Sequence, residues 1–185
     1  MCRNYPWNRE GSLRQDKRGD RRLRPGRARG VGLDLARFKR ALSGVGRVGL
    51  DTPVLIYHLE DIPPYTELTT HLFTEASAGQ LQLVLSVVTL AEILVKPWQE
   101  GDAGRAGRIR TALEALPGMQ FADITAAVAA EGASLRGRTG LPLPDALIVS
   151  SVVDQGARAI VTNDRKWSKK RLPCRALVLD DYTRN

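Results

Sequence analysis

The stretch that decides the fold runs from Arg47 to Glu60 and reads Arg-Val-Gly-Leu-Asp-Thr-Pro-Val-Leu-Ile-Tyr-His-Leu-Glu. An apolar run ends in Asp51, and Thr52 and Pro53 then open a segment with the composition of a helix start. A strand that passes directly into a helix places Asp51 at the carboxyl end of the strand, beside a helix N-terminus. In open α/β sheets, ligands bind at this edge.

The rest of the chain alternates between short apolar runs and segments with helical spacing of apolar residues. Further strands are predicted at 81–85, 119–124, 158–162 and 176–179. Helices are predicted at 33–44, 54–59, 68–79, 87–95, 105–116, from 125 onward and at 145–155. Lys96-Pro97 is expected to end the helix at 87–95, and a loop is predicted from Arg136 to Pro144. Strands that alternate with helices indicate an α/β fold, with a parallel sheet in one domain.

One glycine motif invites a nucleotide-binding interpretation. Residues 44–49, Gly-Val-Gly-Arg-Val-Gly, match the pattern G-x-G-x-x-G. A dinucleotide-binding loop follows a strand and opens a helix. Here a predicted helix precedes the motif and a strand follows it, so we interpret the motif as a turn.

Basic charge is concentrated at the N-terminus. The net charge is +8, and residues 1–30 hold ten Lys and Arg against three acids, whereas residues 31–185 hold eighteen against seventeen. Residues 1–32 also lack apolar periodicity, so we predict a basic, disordered extension before a folded domain at 33–185. A start codon assigned too far upstream would also explain this segment. Such an extension adds non-specific affinity for phosphate groups.

Two classes of protein are disfavoured by composition. The longest uncharged stretch ends at Ala91 and is too short to cross a bilayer, and the N-terminus lacks a secretory apolar region. We therefore expect a cytoplasmic protein without a membrane span. Cys2 and Cys174 are too few for a disulfide framework or a zinc site.

Four acidic residues fall at predicted strand ends or at the helix starts that follow them: Asp51, Glu92, Asp145 and Asp164. In a parallel sheet these positions share one edge, so the four carboxylates are expected to lie together. Mg²⁺ and Mn²⁺ prefer carboxylate oxygens and bind phosphate oxygens alongside. The pattern therefore predicts a cation site suited to displacement at phosphorus.

Each acid also has a structural interpretation. Asp145 after Pro144 is typical of a helix start, and Asp164 in Thr-Asn-Asp is typical of a turn. Glu92 interrupts an apolar helix and Asp51 ends an apolar strand, and a carboxylate in such surroundings needs a partner or a metal ion. Four coincidences at one edge are less economical than one site.

The four segments in order resemble the PIN-domain ribonucleases, and most of all the VapC-type toxins of bacterial toxin–antitoxin pairs. The matching segments are Asp51-Thr-Pro-Val-Leu-Ile, Ser86-Val-Val-Thr-Leu-Ala-Glu92, Leu143-Pro-Asp145-Ala-Leu-Ile and Val161-Thr-Asn-Asp164, within residues 48–182.

The resemblance implies a three-layer α/β/α fold with a central, mostly parallel sheet. It implies that Asp51, Glu92, Asp145 and Asp164 are catalytic and hold Mg²⁺ or Mn²⁺. It further implies cleavage of single-stranded RNA, a homodimer, and inhibition by a cognate antitoxin that covers the acidic pocket.

The resemblance also suggests supporting roles. Thr52 and Thr162 would steady the acids or a metal-bound water, although helix or turn capping explains both threonines equally well. The candidate RNA contacts are basic residues on loops near the acids: Arg136, Arg138, Arg165 and Lys166.

Two positions depart from the family pattern. Pro53 stands where an Asn is usual after Asp-Thr, and Lys166 stands where many members have a further acid before an aromatic residue, here Trp167. Pro53 removes an amide that would orient the site. These departures leave open a second hypothesis, a catalytically weakened PIN-like module that binds RNA or protein without cutting.

A phosphotransferase of the haloacid-dehalogenase type is a third candidate, because such enzymes also place an Asp after the first strand. They need a second acid two residues further on, where this chain has Pro53. We therefore set this class aside.

Overall fold

The computed structural model describes residues 33–183, and within them strands and helices alternate. The strands are β1 (Arg47–Leu50), β2 (Gln82–Ser86), β3 (Met119–Ala122), β4 (Ala159–Thr162) and β5 (Arg175–Val178). The α-helices are α1 (Leu35–Leu42), α2 (Thr52–Leu59), α3 (Tyr65–Ser77), α4 (Val87–Gln99), α5 (Ala103–Glu114), α6 (Ala126–Thr139) and α7 (Leu143–Asp154). The predicted extension at 1–32 lies outside the described residues and stays a prediction.

The five strands form one sheet in the order β3-β2-β1-β4-β5, and every neighbouring pair is parallel. Successive residues of a strand point to opposite faces. Leu50 and Val161 accordingly belong to one buried cluster, shared with α1, α2, α3 and α5, while Val84 and Ile160 belong to a second, shared with α6 and α7. The predicted three-layer α/β/α fold is confirmed.

The central strand β1 is covered directly by α7. A Cβ atom at Gly49 would lie 2.7 Å from Cγ2 of Val152, so only a glycine allows this close approach. The contact fixes the last turn of α7 on β1, and the first turn of the same helix carries Asp145, whose charge acts on Asp51 at the end of β1.

Two predicted boundaries were wrong. Helix α4 continues through Pro97 to Gln99 instead of stopping at Lys96. Proline removes one N–H donor. So close to the end of α4, this loss does not break the helix. The next turn is held by the Glu100 N–H, which donates to the Lys96 carbonyl oxygen at 3.0 Å.

The second wrong boundary is the loop predicted from Arg136 to Pro144. Helix α6 continues to Thr139 and ends where Gly140 adopts a left-handed conformation with φ 69°. The connection is therefore only residues 140–142. Gly137 is tolerated inside the helix because tertiary packing around Leu135 outweighs its low helix propensity.

Among the described residues, no helix has the length and apolar character needed to span a membrane.

Candidate active site

Asp51 is the centre of the candidate site. Its side chain is 6% exposed at the carboxyl end of β1, where it forms the N-cap of α2. Oδ1 accepts a hydrogen bond from the Thr52 backbone N–H at 2.8 Å, and Oδ2 accepts one from the Thr162 hydroxyl at 2.6 Å. Two donors from neighbouring parts of the fold thus fix one buried carboxylate.

The pKa of Asp51 is raised from 3.8 to about 6. Burial is the largest cause, because a charged carboxylate loses its hydration. The hydrogen bonds from Thr162 and Thr52 act in the opposite direction, and the charges of Asp145 and Glu92 raise the pKa further. A cation near this cluster would relieve both the desolvation and the repulsion.

Glu92 lies on α4 and is exposed, with its Oε2 accepting a hydrogen bond from the Thr52 hydroxyl. Thr52 therefore contacts two acids, since its backbone N–H binds Asp51 and its side chain binds Glu92. The sequence predicted apolar surroundings for Glu92, and this was wrong because Glu92 is exposed; its hydrogen-bond partner is Thr52.

Asp145 is half-buried in the first turn of α7. The N-cap position of this helix is Pro142, which makes no side-chain capping bond, so Asp145 is not the cap residue. Burial raises the pKa of Asp145 most, and the charges of Glu92 and Asp164 add to the rise, while the indole N–H of Trp167 lowers it.

Asp164 follows β4 and is held by its own turn. Its backbone N–H donates to the Thr162 hydroxyl oxygen at 3.0 Å, and its Oδ1 accepts from the Lys166 N–H at 2.8 Å. The Thr162 hydroxyl thus accepts from Asp164 while it donates to Asp51. One fully buried side chain links two of the four acids.

The fold brings the four acids to one edge of the sheet. Thr52 links Asp51 to Glu92, and Thr162 links Asp51 to Asp164. Asp145 is close enough for the charges of Glu92 and Asp164 to raise its pKa. Oxygen donors of this kind suit a hard divalent cation. As placed, however, no three His, Cys, Asp or Glu side chains within residues 33–183 converge closely enough to share an ion. Mg²⁺ commonly binds through one or two carboxylates and keeps several waters, so the donor set fits such an ion.

The candidate RNA contacts lie on two segments, the last turn of α6 and the turn after β4, and the second of these also holds Asp164. Arg136 and Arg165 already support the fold: Nη1 of Arg136 donates to the carbonyl oxygen of Leu141 at 2.9 Å, and Nε of Arg165 lies 3.1 Å from Oδ2 of an aspartate. Each guanidinium has five N–H donors, so donors remain. Arg138 and Lys166 are exposed.

A buried pair of serines near the acids escaped the sequence analysis. Ser86 caps α4 by accepting from the Val88 N–H at 3.2 Å, and the Ser151 hydroxyl donates to Ser86 Oγ at 2.9 Å. The pair joins the helices that carry Glu92 and Asp145. Ser86 and Ser151 are far apart in the chain, and neither has a local motif that would reveal the contact.

Asn163 also has a structural role that the sequence did not reveal. Its Nδ2 donates to the Tyr57 hydroxyl at 3.1 Å, and its Oδ1 accepts from the Asp180 N–H at 2.9 Å. The Tyr65 hydroxyl donates to the same aspartate at 2.6 Å. This network ties the turn that holds Asp164 to α2, α3 and the end of β5.

Carboxylates gathered at the carboxyl edge of a parallel sheet define the chain as an α/β protein with an acidic site at its strand ends. The family model of the PIN domain matches residues 48–172. The chain belongs to the PIN domain family.

Solved structures with the same fold include three from toxin–antitoxin systems. A toxin–antitoxin complex from Klebsiella pneumoniae is 20% identical, with 71% of this chain and 97% of that chain covered and a TM-score of 0.54. VapBC2 from Rickettsia felis, bound to a promoter DNA fragment, is 18% identical, with 71% and 98% covered and a TM-score of 0.55. DNA-bound VapBC from Salmonella typhimurium is 17% identical, with 72% and 98% covered and a TM-score of 0.53. No curated protein sequence matches the chain.

Proposed function

We propose that the protein is a metal-dependent endoribonuclease that cleaves RNA phosphodiester bonds at the site formed by Asp51, Glu92, Asp145 and Asp164. The observation that carries the proposal is geometric: at the carboxyl edge of the sheet of a PIN domain, Thr52 hydrogen-bonds both Asp51 and Glu92, and Thr162 links Asp51 to Asp164. Keeping several acids together in a half-buried site is costly unless a cation balances them.

Mg²⁺ or Mn²⁺ held by carboxylates of this cluster would supply a Lewis acid that activates water and stabilises charge on the phosphate. The chain's own residues keep the ligands in place. Thr162 and the Thr52 backbone fix the Asp51 carboxylate, the Thr52 hydroxyl holds Glu92, and the turn after β4 holds Asp164. Arg136, Arg138, Arg165 and Lys166 would contact the phosphates of RNA on either side of the cleaved bond.

The proposed test is cleavage of a mixed RNA pool by purified protein in Mn²⁺, in Mg²⁺ and in EDTA. We expect cleavage that depends on the metal and that Asp51→Asn and Asp145→Asn abolish. The matched control is Asp154→Asn, because Asp154 lies exposed at the opposite end of α7 from Asp145. Equal cleavage by Asp51→Asn and the wild type would disprove the site assignment.

The second candidate function is a PIN module that binds RNA or protein without cutting. It is favoured by the observation that no three possible ligands within residues 33–183 converge on one ion as placed. Binding of RNA by wild-type protein with no cleavage under any metal condition would support this alternative.

We also propose that the protein is the toxin of a toxin–antitoxin pair and forms a homodimer. The similarity to solved toxin–antitoxin complexes supports an antitoxin partner. Ile56 on α2 and Val95 on α4 are exposed apolar side chains on the two helices that carry Thr52 and Glu92. An antitoxin that buried them would cover the acids.

The partner is tested by co-expression with the product of the adjacent gene. We expect a stable complex that suppresses cleavage and that Val95→Lys weakens. Light scattering of the isolated protein tests the dimer. Independent elution of the two proteins would remove the support for this pairing.

A further inference from the structure

Trp167 lies beside the acids without belonging to them. It begins a short 3-10 helix, Trp167–Lys169, three residues after Asp164. Its backbone N–H donates to the Asp164 carbonyl oxygen at 3.0 Å. Its side chain is 1% exposed and packs in the buried cluster formed with α6 and α7. The ring is therefore part of the core, while the residue itself belongs to the turn that carries an acid.

The indole nitrogen of Trp167 is buried and has no hydrogen-bond partner at normal geometry. Tryptophan N–H groups in protein interiors usually find an acceptor, because an unpaired buried donor loses its hydration without compensation. Trp167 packs in the same buried cluster as Ala146, the residue that follows Asp145, and the indole lowers the pKa of the Asp145 carboxyl group.

The other three acids each have a donor that restricts the side chain. Thr162 and the Thr52 N–H hold Asp51, the Thr52 hydroxyl holds Glu92, and the Lys166 N–H holds Asp164. Asp145 lies in the first turn of a helix whose cap position offers no side-chain bond. The pKa of its carboxyl group is lowered by two donors, its own backbone N–H and the indole N–H of Trp167, and of these only the indole is a side chain.

We propose that Trp167 is a positioning residue whose indole N–H donates to the Asp145 carboxylate and orients it toward Glu92 and Asp164. The inference rests on the proposed metal site, but the contact itself is independent of whether a metal binds. Groups that hydrogen-bond metal ligands typically contribute 10-fold to 100-fold to metal affinity.

The test uses Trp167→Phe, which keeps an aromatic ring in the core and removes the N–H donor. The matched control is Trp98→Phe, because Trp98 is 61% exposed on α4. Thermal melts of both variants establish that they fold. Isothermal titration with Mn²⁺ then measures affinity, and we expect Trp167→Phe to bind about 10-fold more weakly than wild type while the control is unchanged.

A second measurement detects the contact without any metal. The indole N–H signal of Trp167 in a ¹H–¹⁵N spectrum, assigned by its loss in Trp167→Phe, should move strongly on Asp145→Ala and be protected from solvent exchange. The exposed Trp98 indole in the same spectrum is the internal control. A role in packing alone would leave the Trp167 signal in place.

The two measurements separate this proposal from the proposed function. If wild-type protein binds no Mn²⁺, the metal site fails, and the indole signal still decides whether Trp167 contacts Asp145. If the signal does not move on Asp145→Ala, or if Trp167→Phe binds Mn²⁺ as wild type does, the positioning role is disproved.

Discussion

Thr162 at the end of β4 donates its hydroxyl to the carboxylate of Asp51 at the end of β1, at 2.6 Å. The same hydroxyl oxygen accepts from the Asp164 N–H at 3.0 Å. The bond joins the carboxyl ends of two neighbouring parallel strands and connects two of the four acids through one buried threonine.

Replacing Thr162 should therefore destabilise the edge of the sheet that carries the acids. Thr162→Val keeps the shape and removes the hydroxyl, so Oδ2 of Asp51 loses its donor and the Asp164 N–H loses its acceptor. We expect the free energy of unfolding at pH 7 to fall by about 1–3 kcal/mol, measured by urea unfolding. Thr74→Val is the control, because Thr74 is exposed on α3. Equal losses in the two variants would contradict the role of the buried hydroxyl.

Stability in the absence of metal should decrease as the pH rises. The pKa of Asp51 is 3.8 in its ordinary state and about 6 in the folded chain, so the folded state binds the proton more tightly between these values. Stability from this group is complete below pH 3.8 and is lost as the pH rises through about 6, by roughly 3 kcal/mol.

Urea unfolding in EDTA across this range measures the effect against Asp51→Asn, in which the amide cannot ionise. Carboxyl groups distant from the site contribute equally in both proteins, so the difference between them reports Asp51 together with its interaction with Asp145 and Glu92. The same pH dependence in both proteins would show that Asp51 does not carry the shift.

Divalent cations should stabilise the folded chain. A ligand present at 100 times its dissociation constant and selective for the folded state adds about 2.7 kcal/mol. We expect millimolar Mn²⁺ or Mg²⁺ to raise the melting temperature of wild type and of Asp154→Asn, and to have little effect on Asp145→Asn. An unchanged melting temperature of wild type would count against the metal site.

The close packing of α7 on β1 makes Gly49 sensitive to substitution. A Cβ atom there would lie 2.7 Å from Val152 Cγ2 and 3.2 Å from Ile160 Cγ1. Gly49→Ala should lower the free energy of unfolding by about 1–3 kcal/mol. Gly107→Ala on α5 meets nothing within 4 Å and should instead stabilise by about 0.5–1 kcal/mol. Chemical denaturation compares them, and opposite signs are the expected result.

Removal of residues 1–32 should leave the domain intact. The start of the described segment pairs with its end: Leu33 forms a β-bridge with Thr183, and the Asp34 N–H donates to the Tyr182 carbonyl oxygen at 2.8 Å. We expect the truncated chain to melt cooperatively at nearly the full-length temperature, by circular dichroism. A broad, non-cooperative melt would show that the N-terminal segment supports the fold.

The sequence was sufficient for the strands and most helices because their signals are local. An apolar run followed by Asp51-Thr52-Pro53 predicts a strand and a helix start wherever it occurs, and β1 and α2 follow that prediction. The two wrong boundaries, at Pro97 and at 136–144, arose where packing outweighs the residues' own preferences. Pro97 near the end of α4 and Gly137 near the end of α6 are tolerated once these helices are packed.

The sequence by itself thus determined which acids lie at strand ends and helix starts, because parallel strands bring all such positions to one edge. Only the tertiary structure decided how these acids are held. The Thr52 hydroxyl binds Glu92 on another helix. The Thr162 hydroxyl binds Asp51 at the end of a neighbouring strand and also accepts from the Asp164 N–H. Such contacts depend on side-chain direction and distance after packing, which no local pattern of residues encodes.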